Sequence, residues 1–204
     1  MIVIVDYGSG NLKSIKNMLV FLGVAAQISS DPEIIERSDK LILPGVGSFD
    51  SGMNNLRSSK LVSVLEAQVF QEKKPILGIC LGMQLMTNSS EEGREPGLGW
   101  FDAKTTRFNF SSDENLKVPH MGWNFVNPVG YSRIFEDLNG PLSRFYFVHS
   151  YFVECFDKSN ILAQCTYGTE FTCAINKGNI YGVQFHPEKS HKFGMKLLKN
   201  FAEL

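Results

Sequence analysis

Strand-like and helix-like segments alternate through the first half of this 204-residue chain. The chain opens with the β-branched run Ile2–Val5, and the stretch 11–22 then carries apolar residues at the spacing of one helix face. We expect Asn11 to cap that helix and Gly23 to end it. The predicted strands are 2–5, 24–28, 40–43 and 75–79, and the predicted helices are 11–22, 31–37 and 61–71. This alternation predicts an α/β fold with a mostly parallel sheet and helices on both of its faces.

The second half of the chain has a different pattern, rich in aromatic and β-branched residues that are separated by turns. Its predicted strands are 105–108, 124–126, 145–153, 161–164, 171–175 and 180–185. Turn signals at 139–141 and 176–178 favour antiparallel or mixed pairing here. Apolar spacing over 191–204 predicts a closing amphipathic helix. Because no repeat or linker interrupts the chain, a single domain over residues 1–204 is expected.

The composition limits the kinds of function. A formal net charge of −1 gives no sign of general affinity for nucleic acid or for acidic membranes. No apolar run reaches the length of about 18 residues typical of a membrane span, and the first residues do not resemble a signal peptide, so a cytoplasmic protein is expected. The four cysteines lack the spacing of a zinc site. We therefore expect free thiols, no metal and no cofactor.

Cys80 is the first candidate for chemistry. It stands in Gly78-Ile-Cys-Leu-Gly82, between a predicted strand and a helix-like stretch, which is the pattern of a nucleophile elbow. Glycines two residues to either side make room for a strained turn, and the N-terminus of a following helix favours a thiolate. The backbone N–H of Leu81 could then bind an oxyanion. A buried core cysteine is the alternative that this motif alone leaves open.

The motif Phe185-His-Pro-Glu188 follows an apolar strand and supplies a candidate base. Residues two apart in an extended segment point the same way, and Pro187 favours that extended shape. His186 and Glu188 can therefore lie side by side, with the carboxylate on one ring nitrogen and the other nitrogen facing a nucleophile. Two alternatives stay open. One is a structural histidine, and the other is a metal site formed with His191, for which a strand end running into a helix is poor geometry.

The segment Leu43-Pro-Gly-Val-Gly47 ends a predicted parallel strand. Its two glycines let the backbone N–H groups of Val46 and Gly47 turn toward the neighbouring strand end, where Cys80 is expected. An ordinary β-turn is the alternative. Beside Cys80, this turn becomes a candidate oxyanion hole that a peptide rotation would complete.

In this order, the turn, the elbow and the His-Pro-Glu motif resemble class I glutamine amidotransferases, a family with a Cys-His-Glu triad. Further motifs bring the resemblance closer to the glutaminase subunits of imidazole glycerol phosphate synthases, and it spans the whole chain. The motifs are Asp6-Tyr-Gly-Ser-Gly-Asn11, Pro44-Gly-Val-Gly-Ser-Phe49, Gly78-Ile-Cys-Leu-Gly-Met-Gln84, Pro119-His-Met-Gly-Trp-Asn124, Phe147-Val-His-Ser-Tyr151 and Phe185-His-Pro-Glu-Lys-Ser190.

The resemblance implies a reaction and a substrate. Cys80 would attack the side-chain amide of glutamine, and His186, oriented by Glu188, would pass a proton to the leaving ammonia. Water would then release glutamate from a thioester. By the same resemblance, the residues that bind glutamine would be Gly47, Gln84, Glu92 and Ser150. Among them, Glu92 would lie near the α-amino group of glutamine.

The resemblance also implies a partner. The ammonia would pass to a separate, barrel-shaped cyclase subunit, with which the chain would form a heterodimer in histidine biosynthesis. The residues that would face this partner are Asn11, Pro119, Met121, Trp123, Tyr146 and Lys189. A glutaminase that was always active would waste glutamine. We therefore expect the turn at 44–47 to become competent only after docking and ligand binding in the partner.

Three other functions stay open as alternatives. A second copy of such a glutaminase could feed ammonia to an amidating enzyme of surface-polysaccharide synthesis, and the triad does not separate that case. A cysteine peptidase-like hydrolase can share the elbow and the Cys-His pair, but Gln84 and Glu92 suit the head group of a free amino acid. A non-catalytic regulatory subunit would have no need of Cys80, His186 and Glu188 together.

Overall fold

The computed structural model describes residues 1–111, 116–138, 140 and 143–204. Apart from Gly140, the predicted turn at 139–141 lies outside the described residues. Most of the strands form one mixed sheet, and β7 and β9 form a small separate sheet. The strands are β1 Ile2–Val5, β2 Ala26–Ser29, β3 Lys40–Gly45, β4 Ile76–Cys80, β5 Ser89–Ser90, β6 Ala103–Arg107, β7 His120–Phe125, β8 Asn127–Pro128, β9 Arg144–His149, β10 Tyr151–Cys155, β11 Ile161–Tyr167, β12 Thr169–Lys177 and β13 Ile180–Val183.

The helices lie mainly in the first half and at the end of the chain. They are α1 Leu12–Phe21, α2 Pro32–Glu36, α3 Phe49–Ser58, α4 Leu61–Glu66, α5 Leu81–Leu85 and α6 His191–Ala202. A π-helical segment, Ala67–Gln71, continues α4, and short 3-10 turns occur at Arg133–Phe135, Lys158–Asn160 and Pro187–Lys189. Within the described ranges, no helix is both long enough and apolar enough to cross a membrane.

The main sheet places several strand ends at one edge. Its order is β2-β1-β3-β4-β13-β12-β10-β6-β5. The first five strands in this order, β2, β1, β3, β4 and β13, pair in parallel. The next pairs, β13 with β12, β12 with β10 and β10 with β6, are antiparallel. The predicted parallel first half and mixed second half are therefore confirmed. The carboxyl ends of β3, β4 and β13 meet at the same edge, which is where α/β sheets bind ligands.

The first strand shows why the sheet is buried on both faces. Ile2 and Ile4 pack into one hydrophobic cluster, and Val3 and Val5 pack into another. Because successive side chains of a strand point to opposite faces, a strand that is apolar throughout fits between two layers. Residues of α1 and α6 join the first cluster, whereas residues of α3 and α4 join the second. The expectation of helices on both faces is thereby met.

The prediction of one strand at 145–153 is wrong. The chain breaks at Ser150 into β9 and β10. Strand β9 pairs with β7 in the small sheet, whereas β10 pairs with β6 in the main sheet. Aromatic and β-branched residues run through both strands, so the local pattern carries no sign that the pairing partner changes.

The helices differ from prediction in three places. The sequence pattern does not predict helix α3, because serine, glycine and asparagine separate its buried residues Phe49, Met53 and Leu56. The helix predicted at 61–71 becomes π-helical over its last five residues. Asn11 precedes α1 but makes no side-chain capping bond; its ψ of 62° departs from the extended conformation that such bonds require. Gly23 does follow the end of α1, with φ of 76°.

Helix α6 approaches the turn Pro187–Lys189 closely because it has a glycine at the contact. A Cβ atom on Gly194 would lie 1.8 Å from the carbonyl oxygen of Pro187. The glycine therefore lets α6 support the backbone that carries His186 and Glu188.

We predict that Gly194→Ala lowers the free energy of unfolding by about 1–3 kcal/mol, the cost of overpacking a close contact. A loss of stability is informative because, without the close contact, alanine would stabilise the helix relative to glycine by about 1 kcal/mol. Urea denaturation measures the change. Lys192→Ala, at an exposed position of the same helix, is the control and should change stability by less than about 0.5 kcal/mol. A Gly194→Ala protein as stable as the wild type would contradict the close approach.

Candidate active site

Cys80 ends β4 in a strained conformation. Its φ of 54° and ψ of −112° lie in the left-handed half of conformational space, which residues other than glycine rarely adopt. Helix α5 starts at the next residue and lies very close to β3. A Cβ atom on Gly82 would be 1.8 Å from the carbonyl oxygen of Leu43. The sharp strand-to-helix turn that the glycine spacing predicts is thus present, with Cys80 at its apex.

His186 lies at the same edge of the sheet, because β13 pairs with β4 in parallel. Its backbone N–H donates to the carbonyl of Tyr146 at 2.9 Å. Its ring Nδ1 lies 2.8 Å from Oε1 of Glu188, and the two side chains are 2% and 1% exposed. Within the described part of the chain, Nε2 of His186 has no hydrogen-bond partner. The carboxylate therefore fixes the ring and leaves Nε2 as the nitrogen that can exchange a proton.

The pKa of His186 results from opposing effects. Burial lowers it, but interactions with Cys80 and with the Glu188 carboxylate outweigh burial and raise the pKa to about 10. A negative charge on either neighbour favours the imidazolium form. The arrangement can take a proton from a thiol and later return it to a leaving group.

The turn after β3 lies beside Cys80, because Gly45 pairs with Cys80 across β3 and β4. The N–H of Val46, one of the predicted oxyanion donors, donates to Oγ of Ser9 at 3.0 Å. The Ser9 hydroxyl in turn donates to the carbonyl of Val46 at 2.7 Å. This N–H must leave Ser9 before it can bind an oxyanion. Leu81, in contrast, is the first residue of α5, so its N–H has no acceptor inside the helix.

A cleft of about 340 Å³ opens over Cys80, which is within the size range of small-ligand sites. The predicted catalytic, oxyanion and glutamine-binding residues line it, with the exception of Glu188, which contacts the other ring nitrogen of His186. The lining residues of these three groups are Val46, Gly47, Cys80, Leu81, Gln84, Glu92, Ser150 and His186. The fold thus brings distant stretches of the chain to one place.

Hydrogen bonds hold Glu92 and Gln84 in this cleft. Oε2 of Glu92 accepts the N–H of Phe49 at 2.8 Å, at the N-terminus of α3, where a carboxylate is electrostatically favoured. Nε2 of Gln84 donates to the carbonyl of Tyr151 at 3.1 Å and to Oε1 of Gln184 at 3.0 Å. Both amide hydrogens are used, so Gln84 has only its own Oε1 left for a ligand.

Apolar side chains are exposed on the outer face of β7. Met121, Trp123 and Phe125 alternate along the strand and are 62%, 42% and 48% exposed. Trp123 packs edge-on against Tyr146 of β9, and the Lys189 ammonium lies over the same tyrosine ring. Of the predicted partner-facing residues, Asn11, Pro119, Met121, Trp123 and Lys189 are exposed and Tyr146 is half-buried. Pro119 and Lys189 also line the cleft, so this outer face continues into the site.

The alternative of a metal site gains no support. His191 stacks on Trp123, with ring centroids 5.5 Å apart. No three His, Cys, Asp or Glu side chains within the described ranges are grouped to hold a metal ion.

Sequence reasoning missed three residues that contact this site: Ser9, His149 and Gln184. Ser9 contacts the turn through a hydroxyl, and no local pattern marks that contact in advance. Gln184 is fully buried at the end of an otherwise apolar strand. Because a buried polar side chain requires a partner, its position in the sequence was a usable signal.

His149 lines the cleft and pairs with His120 of β7. Its Nδ1 must donate to the Tyr151 carbonyl, 2.8 Å away, because a carbonyl only accepts. Its Nε2 then accepts from Nδ1 of His120 at 2.9 Å. Burial lowers the pKa of His149 to about 3 and that of His120 to about 4. Both rings are therefore neutral near pH 7.

Comparison with known proteins identifies the family. The model of the family described as "Glutamine amidotransferase class-I" matches residues 3–204. Imidazole glycerol phosphate synthase subunit HisH 2 of Methanococcus maripaludis is 59% identical over 203 residues, which cover 100% of this chain and 99% of the relative. HisH 2 of Pseudomonas aeruginosa is 54% identical over 204 residues, and HisH 1 of M. maripaludis is 46% identical over 209 residues, each with 100% of both chains covered. The chain belongs to the class I glutamine amidotransferase family and is an enzyme.

Solved structures confirm the fold. PurLQS from Thermotoga maritima superposes with a TM-score of 0.74 at 17% identity, covering 99% of this chain and 97% of that one. The glutaminase domain of Trypanosoma brucei CTPS, solved with acivicin bound, gives a TM-score of 0.64 at 18% identity, covering 99% and 93%. At such identities the likeness establishes the α/β architecture and nothing finer.

The buried histidine pair predicts acid sensitivity. The folded-state pKa of His149 lies below its unfolded value of about 6.5. Its contribution to stability is therefore complete above that pH and is lost as the pH falls toward about 3. Between pH 7 and pH 5 the wild type should lose about 2 kcal/mol of unfolding free energy through this group. His149→Gln should remove that part of the pH dependence.

Urea denaturation at pH 7 and pH 5 measures both proteins. Asn200→Ala is the control, because this buried amide donates to the carbonyls of Ile134 and Glu136 and does not titrate. It should lower stability by the same amount at both pH values. An undiminished pH dependence in His149→Gln would show that His149 is not held neutral in the folded protein.

Proposed function

We propose that the chain is a glutaminase that releases ammonia from the side chain of glutamine. The observation that carries the proposal is the buried His186–Glu188 pair, whose Nε2 has no partner among the described residues, beside Cys80 in one cleft. The Cys80 sulfur attacks the amide carbon, and the backbone of Leu81 stabilises the oxyanion together with the turn at 44–47. His186 gives a proton to the departing ammonia, and a thioester forms.

The second half of the reaction uses the same groups in reverse. Water attacks the thioester carbon while His186 takes its proton, and glutamate leaves as the thiol is restored. Glu92 supplies a carboxylate for the α-ammonium of glutamine, and Oε1 of Gln84 is an acceptor for the same head group. Ser150, at the break between β9 and β10, serves the α-carboxylate. A free amino acid matches this set of polar groups better than a peptide does.

We further propose that the ammonia passes to the cyclase subunit of imidazole glycerol phosphate synthase, in histidine biosynthesis. The relatives named above are subunits of that synthase. The exposed side chains Met121, Trp123 and Phe125 form an apolar surface typical of protein interfaces. Because Pro119 and Lys189 line both this surface and the cleft, a partner docked here covers the exit for ammonia.

One observation favours a second candidate, in which another enzyme receives the ammonia. In M. maripaludis, the copy numbered HisH 2 is 59% identical to this chain, whereas the copy numbered HisH 1 is 46% identical. A strain with two copies can assign them to different acceptors. The alternative acceptor is an amidating enzyme of surface-polysaccharide synthesis, served by the same glutaminase chemistry.

We infer that the contact between Ser9 and Val46 restrains the free chain. The two hydrogen bonds hold the Val46 N–H away from oxyanion binding. Docking of the partner would favour the rotated turn, in which this N–H faces the reacting amide. Such a restraint limits waste of glutamine when no acceptor is present.

We predict that Cys80→Ala abolishes glutamate release from glutamine, with a loss of about 1000-fold or more, because the nucleophile of the triad is removed. The assay follows the chain alone and then with the cyclase subunit and its nucleotide substrate. Cys155→Ala is the matched control, because burial raises the pKa of that thiol to about 11 and keeps it protonated. It should retain activity. Equal rates for Cys80→Ala and the wild type would refute the triad chemistry.

The assay in the presence of the cyclase subunit distinguishes the two proposed acceptors of ammonia. Strong stimulation by the cyclase subunit, together with growth of a histidine auxotroph that lacks its own glutaminase subunit, supports the histidine pathway. Glutaminase activity without stimulation by the cyclase, and without rescue of the auxotroph, supports the second acceptor.

We predict that Ser9→Ala raises the basal glutaminase rate of the free chain by about fivefold, which corresponds to roughly 1 kcal/mol of lost hydrogen bonding. The rate in the stimulated complex should change little, so the stimulation factor falls. Ser48→Ala is the control: its hydroxyl, in the same turn region, bonds to Ser51 and not to Val46. A basal rate that is unchanged or lower in Ser9→Ala would rule out the restraint.

A further inference from the structure

Gln184 lies between Cys80 and Gln84 and contacts both side chains. It is 0% exposed, in the stretch that joins β13 to His186. Its Nε2 lies 3.6 Å from the Cys80 sulfur, and its Oε1 accepts Nε2 of Gln84 at 3.0 Å. A buried amide in an apolar strand end is costly unless both of its ends are bonded. Here both ends are bonded, and one of the partners is the reacting sulfur.

The hydrogen-bond partners fix which end of each amide faces which way. The Tyr151 carbonyl can only accept, so the atom of Gln84 at 3.1 Å from it must be Nε2. The second hydrogen of that nitrogen points to Gln184, which must therefore present Oε1 to Gln84. It follows that Gln184 presents Nε2, a donor, to the sulfur of Cys80. Flipping either amide would place two donors or two acceptors face to face.

The Tyr151 carbonyl also accepts a second series of hydrogen bonds, which starts in β7. His149 donates to the Tyr151 carbonyl and accepts from His120. Nε2 of His120 then accepts the side-chain amide of Asn124 at 3.2 Å. That amide also donates to the carbonyl of Thr166 at 2.8 Å. The donor and acceptor of each hydrogen bond from Asn124 to Gln184 are thus assigned, which holds the amide of Gln184 in one orientation.

We propose that Gln184 is a positioning residue, whose amide N–H orients the Cys80 sulfur and stabilises its negative charge, with Gln84 and the two histidines holding that amide in place. This proposal rests on the glutaminase chemistry proposed above. A hydrogen bond to the charged form of a group favours that form. The amide also fixes the sulfur without competing for its proton, because an amide neither gives up nor takes a proton near neutral pH. Proton exchange is thereby left to His186.

Gln184→Glu provides the sharpest test. The glutamate keeps an oxygen for Gln84 but replaces the donor at the sulfur by a carboxylate oxygen. The measurement is the rate of alkylation of Cys80 by iodoacetamide against pH, followed on the Cys80 peptide by mass spectrometry. We expect the midpoint of the profile to move up by roughly one pH unit, because the hydrogen bond is lost and a negative charge is placed beside the thiolate. The kcat for glutamine should fall more than KM rises.

Gln184→Met is the second variant, because it removes both polar contacts without adding a charge. It should shift the alkylation profile in the same direction by a smaller amount. Gln68→Glu and Gln68→Met are the matched controls, because Gln68 is a buried glutamine of the π-helical segment Ala67–Gln71. They should leave the profile at its wild-type position. Circular dichroism and the unfolding midpoint identify any variant that fails to fold.

Two results separate this proposal from the proposed function. Wild-type alkylation profiles in both folded Gln184 variants would overturn the positioning role, whatever the glutaminase assay shows. A shifted profile in a chain that releases no glutamate, alone or with any partner, would support the contact with sulfur and overturn the glutaminase assignment.

Discussion

The close approach between α5 and β3 sets the geometry on which the site depends. Gly82 lies so near the carbonyl of Leu43 that any side chain there would force the helix away from the sheet. The chain makes this approach directly after a sharp turn at Cys80, whose positive φ is strained for a residue other than glycine. The same approach brings Leu81, at the start of α5, beside the end of β3. The position of the Cys80 sulfur beside the cleft and the position of the proposed oxyanion donors therefore share one structural cause.

The pKa of His186 depends on the buried groups that it contacts. The Glu188 side chain is 1% exposed, and its second oxygen, Oε2, has no partner among the described residues. Interactions with Cys80 and with Glu188 raise the pKa of the His186 imidazole, even though its own burial lowers it. His149, nearby, has no carboxylate partner, and burial, followed by the neighbouring histidines, lowers its pKa to about 3. The pKa values of two buried histidines thus shift in opposite directions because only His186 contacts Cys80 and Glu188.

The sequence predicts those parts of the site that depend on residues close together along the chain. The glycines around Cys80 and the alternation of His186 and Glu188 each follow from local geometry. The contacts that orient these groups join distant positions: Ser9 with Val46, and Gln184 with Gln84. They require the strand order, which periodicity does not provide. The break at Ser150 was missed for the same reason, since the two halves of that apolar run differ only in the strands with which they pair.

Strand β7 contributes to both the hydrogen bonds at the cleft and the exposed apolar surface, because its two faces carry different side chains. Its outward residues Met121 and Trp123 are exposed, whereas His120 and Asn124 lie on the other side and belong to the series of hydrogen bonds that ends at Cys80. Because side chains alternate along a strand, evolution can change the outer face without changing the inner one. Copies of this enzyme that serve different acceptors can therefore keep one reaction mechanism. In the proposed complex, the choice of acceptor is then a property of the outer face, and the proposed triad carries no information about it.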